Sequence, residues 1–258
     1  MTRLFVTIFS MSLRRAFAYR ANLVSEFLVT LTAIGASLAV LDIIFSNTGT
    51  LGGWSQAEAI ALLGTFQMAT GILWTFIEPN VAWFRNQVTD GLLDDTLLKP
   101  VPSIFLASLG TCAPLWLAHV VTGLAVLVFG TLQFEHAPDI TSLLAWLVLF
   151  GSGMVIVWAS RVFLASLAFW APSFQPEVLY KAMWEFGRYP VSVYRHPIRF
   201  ALTWVLPVAA IATIPTRALA EGGSLATIGA TLLVALISVV TLLKVWHAGL
   251  RRYTSATS

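Results

Sequence analysis

The sequence predicts an all-α, polytopic integral membrane protein with six transmembrane helices, preceded by an amphipathic helix that lies in the membrane interface. Three observations carry this prediction. Of the 258 residues, 58% are hydrophobic and only 10% are charged, against roughly 45–50% apolar and 25% charged in soluble domains. The apolar residues form long unbroken runs, not the alternating segments of about ten residues that a transmembrane barrel requires. Lys and Arg residues sit between those runs, concentrated on alternate connections.

At the N-terminus, residues 3–20 read RLFVTIFSMSLRRAFAYR. Leu4, Ile8, Met11 and Phe17 fall near one helical face and Arg14 and Arg15 on another, with Arg20 at the end. That pattern fits a basic helix lying in the inner interface, and equally arginines that only set topology. The segment lacks the compact basic, apolar and small-residue succession of a cleaved signal peptide, so none is expected.

A helix crosses the ~30 Å hydrocarbon core in about 20 apolar residues. The first such run is 23–45, with Glu26 and Asp42 near its ends, and the second is 59–77, ending at Glu78. These three carboxylates are expected to reach water. The third run falls within 101–134, which as one helix would extend about 50 Å. It is therefore expected to tilt, to kink at Pro114 or to run partly along the interface. The fourth, 140–170, is interrupted only by Arg161; the fifth, 200–214, is short and holds Pro207; the sixth, 225–243, is uncharged.

Charge placement gives the orientation. Of the fifteen Lys and Arg residues, all but Arg161 and Arg217 fall before the first span, between the second and third, between the fourth and fifth, or around the end of the sixth. By the positive-inside rule both termini face the cytoplasm. The formal net charge of +3 is a topology signal dispersed over connections, so the expected partner surface is membrane lipid and not nucleic acid.

No polar stretch of domain length, repeat period or low-complexity tract appears, so residues 1–258 are expected to form one membrane domain. The chain has no GxxxxGK[ST] phosphate loop, HExxH or GxSxG. Its four histidines are scattered over different segments, and Cys112 is the sole cysteine. No catalytic residue, cofactor site or metal site is expected, and the chain is not an enzyme by itself. Arg161, about ten residues from the cytoplasmic end of the fourth span, is a candidate intramembrane polar site. Two readings are open for it, a carboxylate-paired or snorkelling packing residue and a substrate ligand. His119, alone in an apolar helix, is expected to hydrogen-bond to a neighbouring helix.

The connection 84–100, FRNQVTDGLLDDTLLKP, is the most specific stretch. Asp90 to Leu98 can form a short amphipathic helix, with Leu92, Leu93, Thr96 and Leu97 on one side and Asp90, Asp94 and Asp95 on the other. Lys99 suits its C-terminus and Pro100 stops it. The expected product is a charged knob on the cytoplasmic face, suited to docking a partner.

At these residues the chain resembles the ABC-2 class of exporter permeases, the membrane subunits of certain ATP-binding-cassette transporters. GLLDDTLLKPV fits a G-x-L-D-x-x-L-x-K-P-V pattern at Gly91, Leu93, Asp94, Leu97, Lys99, Pro100 and Val101. Residues 187–219 are similar to that family's YP…R…P…P run, and YRAN at 19–22 and GGWS at 52–55 agree as well.

The resemblance implies a permease of six helices in a bacterial cytoplasmic membrane. Two permease subunits, identical or different, would work with two ATPase subunits, and ATP and Mg would be bound on the ATPase chains, not here. It further implies that 90–99 is a coupling helix, with Arg85, Asp90, Gly91, Asp94, Asp95, Lys99 and Pro100 at the ATPase interface. The helix bearing Arg14, Arg15 and Arg20 would contribute to the same interface. An ion-coupled secondary transporter or channel, and a non-transport scaffold, are the alternatives.

Overall fold

A computed structural model describes residues 2–253, and every regular element among them is helical. Helix α1 (Thr2–Ala18) is separated at Tyr19 from α2 (Arg20–Asn47). The inward face of α1 is set by Phe5 and Phe9, which meet the Phe76 ring at 6.0 and 5.9 Å, and by buried Ala16. Arg14 and Arg15 are exposed as expected, but so are Met11 and Phe17. The aromatic pairing to Phe76 thus rotates the helix away from the face that hydrophobicity alone suggested.

Helices α3 (Gln56–Ile72) and α4 (Glu78–Thr89) run on through a π-helical turn, Leu73–Ile77, as one helix of 34 residues. Its start is fixed by a capping box, in which Ser55 accepts the Glu58 N–H and Glu58 accepts the Ser55 N–H. Its irregularity has a local cause. Pro79 carries no N–H, which frees the Thr75 carbonyl; that carbonyl takes the Ala113 N–H at 2.9 Å.

After the short α5 (Asp94–Leu97), the third run divides into α6 (Ser103–Leu109), a break with a 3₁₀ turn at Pro114–Trp116, and α7 (Leu117–Thr131). Asn80, fully buried, holds the break together. Its side-chain nitrogen lies 3.1 Å from the Ser108 carbonyl and 2.8 Å from that of Thr111, while its oxygen accepts the Thr111 N–H at 2.7 Å. Asn80→Leu strands these groups, so it is expected to cost about 1–3 kcal/mol, read as a lower unfolding midpoint of the purified protein in detergent. An unchanged midpoint would show that the break is held by other contacts.

Helix α8 (Ile140–Ser166) starts at Asp139, whose carboxyl is held down at about 2 by hydrogen bonds from Ser142 and Thr141. There follow α9 (Pro176–Trp184), 3₁₀ turns at Glu185–Arg188 and Val191–Val193, α10 (His196–Phe200) with a π turn to Val205, α11 (Val208–Ile211), α12 (Thr213–Glu221) and α13 (Leu225–Arg252).

Among the described residues five helices are long and apolar enough to cross a membrane: Arg20–Asn47, Gln56–Thr89, Pro114–Thr131, Ile140–Phe169 and Leu225–Arg252. The expected fifth run behaves differently. His196–Val205 and Val208–Glu221 meet at 68°, and Pro207 between them cannot continue a helix. Both ends of this excursion return to the same place. The Val191 N–H donates to Thr213 Oγ1 (3.4 Å), Ser192 Oγ donates to the Gly52 carbonyl (2.9 Å), and Arg217 stacks 5.0 Å from the Trp54 ring centre.

A different stretch lies along the full length of the 34-residue helix, running opposite to it. Glu177 pairs with Arg85 (2.9 Å), Lys181 sits over the Trp74 ring (4.9 Å), Trp184 Nε1 donates to Thr70 Oγ1 (3.0 Å), and Ser192 reaches Gly52. Residues 171–199, expected as a cytoplasmic loop, are therefore mostly a packed segment. Lys181 and Arg188 lie along the bundle, and the chain has reached the Gly52 end by Ser192, ahead of Arg195 and Arg199.

Candidate functional site: an exposed turn and a buried ion pair

The stretch expected to dock a partner sits where the 34-residue helix ends. Gly91 has φ +71°, a left-handed conformation natural to glycine, and the chain reverses there as the Leu92 N–H closes on the Gln87 carbonyl (2.8 Å). This reversal consumes 90–93, so the amphipathic helix expected over 90–98 is corrected to the single turn Asp94–Leu97. Leu93 and Thr96 point into the bundle as expected. The Leu93 N–H donates to the Tyr253 hydroxyl (3.0 Å), tying the turn to the far end of α13.

Leu92, Leu97 and Leu98 are exposed, the last at 83%, where the pattern had placed Leu92 and Leu97 on the packed side. Asp90, Asp95, Lys99 and Pro100 are also exposed, and Asp94 is half-buried. The turn thus offers a mixed apolar and charged surface on a base fixed to two helices. Arg85 is turned away from that surface: Nη1 donates to Glu177 and Nη2 to the Pro172 and Phe174 carbonyls (3.1 and 2.9 Å). It clamps the start of α9 to α4.

The second polar centre is deeper. Arg161 is fully buried and forms a forked pair with Glu78, Nε to Oε1 and Nη2 to Oε2, the latter at 2.8 Å. The guanidinium lies 4.1 Å from the Tyr180 ring centre, a stacking geometry that suits its planar, weakly hydrated cation. Glu78, expected to reach water at a span end, is only 6% exposed, because the second helix continues well beyond it. The cluster joins α4, α8 and α9. Of the two readings open for Arg161, its geometry is that of a carboxylate-paired residue.

His119 is hydrogen-bonded to its neighbours as expected. Gln67 donates to Nδ1, which leaves the proton on Nε2 facing Thr30 Oγ1 (3.1 Å) and Glu26 Oε1 (3.2 Å). The His119 ring stacks on Trp116, which stacks on Trp74 beneath Lys181. Among the described residues no group of three or more His, Cys, Asp or Glu side chains is placed to hold a metal.

Sequence reasoning singled out Arg161 but missed its partners. The EPN tripeptide at 78–80 was a usable signal, since it places an acid, a helix-breaking imide and an amide at the end of an apolar run. Tyr180 carried none.

A family model described as ABC-2 family transporter protein matches residues 31–257. The chain belongs to the ABC-2 transporter family. No curated protein and no solved structure matches it. As an ABC-2 permease it is a multi-pass membrane component of a transport system, of a family that works with ABC ATPases in general. The matched region of this permease includes the exposed turn and the Glu78–Arg161 pair, whereas Arg14, Arg15 and Arg20 precede it.

Proposed function

We propose that this permease is the membrane subunit of an ABC exporter, driven by ATPase subunits that dock on the turn 90–100. Two permease subunits and two ATPase subunits would make the transporter, with ATP and Mg on the ATPases. The observation that carries this reading is the turn itself. Asp95, Lys99 and Leu98 are presented to solvent, while Leu93, Thr96 and the Tyr253 hydroxyl anchor the base. A push on such a turn is passed to α4 and α13 together, which is what conversion of ATPase closure into helix movement requires. Arg14, Arg15 and Arg20 on and after α1 are exposed and would widen the same docking face.

The proposed topology has six crossings, with 176–193 as the fifth and 196–221 as a re-entrant excursion. Even with Lys181 and Arg188 removed from the count, the end bearing Arg14, Arg15, Lys99 and Arg251 is the more basic one, which favours a cytoplasmic placement for it. An ion-driven carrier, the competing reading, calls for a carboxylate free to bind a proton at membrane depth; Glu78 is instead tied to Arg161, Glu185 to Arg188 and Glu26 to His119.

The docking reading is tested by charge reversal at Asp94 and Asp95 or Thr96→Pro, scored by recovery of the ATPase with the tagged permease. Recovery and coupled ATP hydrolysis are expected to fall while membrane insertion is unchanged. Full recovery with all three variants would refute the assignment.

A further inference from the structure

We infer that the outward face of residues 178–188 is a water-filled wall of the transport route, built to carry an amphiphile whose head bears ionised groups of both signs. The inference rests on the exporter reading above and adds a place and a ligand class to it.

Depth comes first. Lys181 contacts Trp74 and Trp184 contacts Thr70, and these residues lie about 21–27 Å along the 34-residue helix from Gln56 at 1.5 Å per residue. The helix is about 51 Å long, so this level is near its middle, inside a hydrocarbon core of ~30 Å. The segment is also irregular there, passing from α9 into a 3₁₀ turn at Glu185–Arg188. Non-helical backbone at membrane depth persists where protein covers it or water reaches it, not against lipid.

Exposure comes second. Tyr180, Trp184 and Gly187 are buried against the bundle, so the opposite side of this segment is open. That side carries Lys181, Glu185 and Arg188, with the Glu185 and Arg188 side chains 56% and 37% exposed while paired with each other. Ionised side chains at this depth face a bundle interior or a water-filled cavity. The wall continues through the Trp74, Trp116 and His119 rings to Glu26, whose side chain is 26% exposed.

Charge and apolarity alternate along it. Val178, Leu179 and Phe186 are exposed beside Lys181 and Glu185. Cations and anions within reach of exposed apolar side chains complement a dipolar head joined to an alkyl or aromatic body. A purely apolar solute would displace water from these ionised groups and supply no polar partner in its place.

The experiment uses the permease in membranes with its ATPase, after Cys112→Ser removes the sole cysteine. Single cysteines at Val178, Lys181, Ala182, Glu185 and Arg188 are treated with a charged, membrane-impermeant thiol reagent; Leu147 and Leu236, exposed on α8 and α13, serve as lipid-facing controls. The five wall positions are expected to react and the controls not. Val178 and Ala182 lie outside the ion-pair and ring contacts, so they report even where a charge substitution harms folding. Sub-micellar dodecylphosphocholine is then expected to slow reaction at Ala182→Cys several-fold, and dodecyl maltoside to leave it unchanged. Unreactive wall positions that label only after denaturation would overturn the aqueous wall. Equal protection by both amphiphiles would overturn the head-group assignment. Labelling requires no ATP hydrolysis, so its outcome is independent of the pull-down that tests docking.

Discussion

Glu78→Ala is expected to destabilise the folded permease by about 3–5 kcal/mol, the cost of leaving a buried charge without its partner. Arg161 has no exposed surface and two of its nitrogens bond only to Glu78. The Tyr180 ring stabilises the cation but supplies no acceptor for the freed N–H groups. Arg161→Met is expected to be nearly as damaging, since it leaves the Glu78 carboxylate in the same enclosure. The double variant Glu78→Met with Arg161→Met removes both charges and keeps the volume, so it is expected to recover much of the loss. Denaturant unfolding of the purified protein in mild detergent measures all three. Additive losses in the double variant would refute the pair as the source of the effect.

How much of this was legible in the sequence follows from the range of the interactions concerned. Runs of apolar residues report burial in lipid, which acts locally, so the helices at 23–45, 59–77, 140–170 and 225–243 were all readable, as was the weakness at Pro114. The fifth run was found but not its bend, since 196–205 and 208–221 meet at 68°. Residues 206–212 are apolar because they are buried in the bundle, while 176–193 carries Lys181, Glu185 and Arg188 because one side of it is open. Hydropathy favours the first and penalises the second. The exposed turn at 90–100 was located by composition, but its helix was overdrawn by several residues, since periodicity is blind to a left-handed glycine at 91. Arg161 was conspicuous as a lone charge, yet Glu78 and Tyr180 are distant in sequence and only the packing of α4, α8 and α9 brings them together. Arg85 was read as a free docking cation for the same reason, its partners being Glu177 and two carbonyls just over a third of the chain away.

The helix pair α3 and α7 should prove the least tolerant contact in the molecule. Gly64 and Gly71 on one helix face Gly123 and Gly130 on the other, each pair seven residues apart, so small residues recur along one stripe of each. A Cβ at Gly64 would lie 2.3 Å from the Leu127 nitrogen and 2.7 Å from the Gly123 oxygen; one at Gly130 would lie 2.6 Å from the Ala61 nitrogen. These neighbours are backbone atoms, which cannot rotate aside as a flexible side chain does. In lipid, where no hydrophobic driving force holds helices together, such close approach is what supplies the packing energy. Gly64→Ala is therefore expected to cost about 1–3 kcal/mol through overpacking, and Gly64→Leu to prevent recovery of folded protein. Gly151→Ala is the matched control. A Cβ there meets nothing within 4 Å, and the gain in helix propensity of up to about 1 kcal/mol should make it neutral or slightly stabilising. Unfolding midpoints of the two alanine variants, measured side by side, are expected to move in opposite directions or differ clearly. If they coincide, backbone contact at Gly64 is not what joins α3 to α7. The same stripe bears on the proposed coupling, because α3 continues through the π turn into α4 and the exposed turn, so if the turn docks an ATPase, loosening the α3–α7 contact should lose coupling before binding.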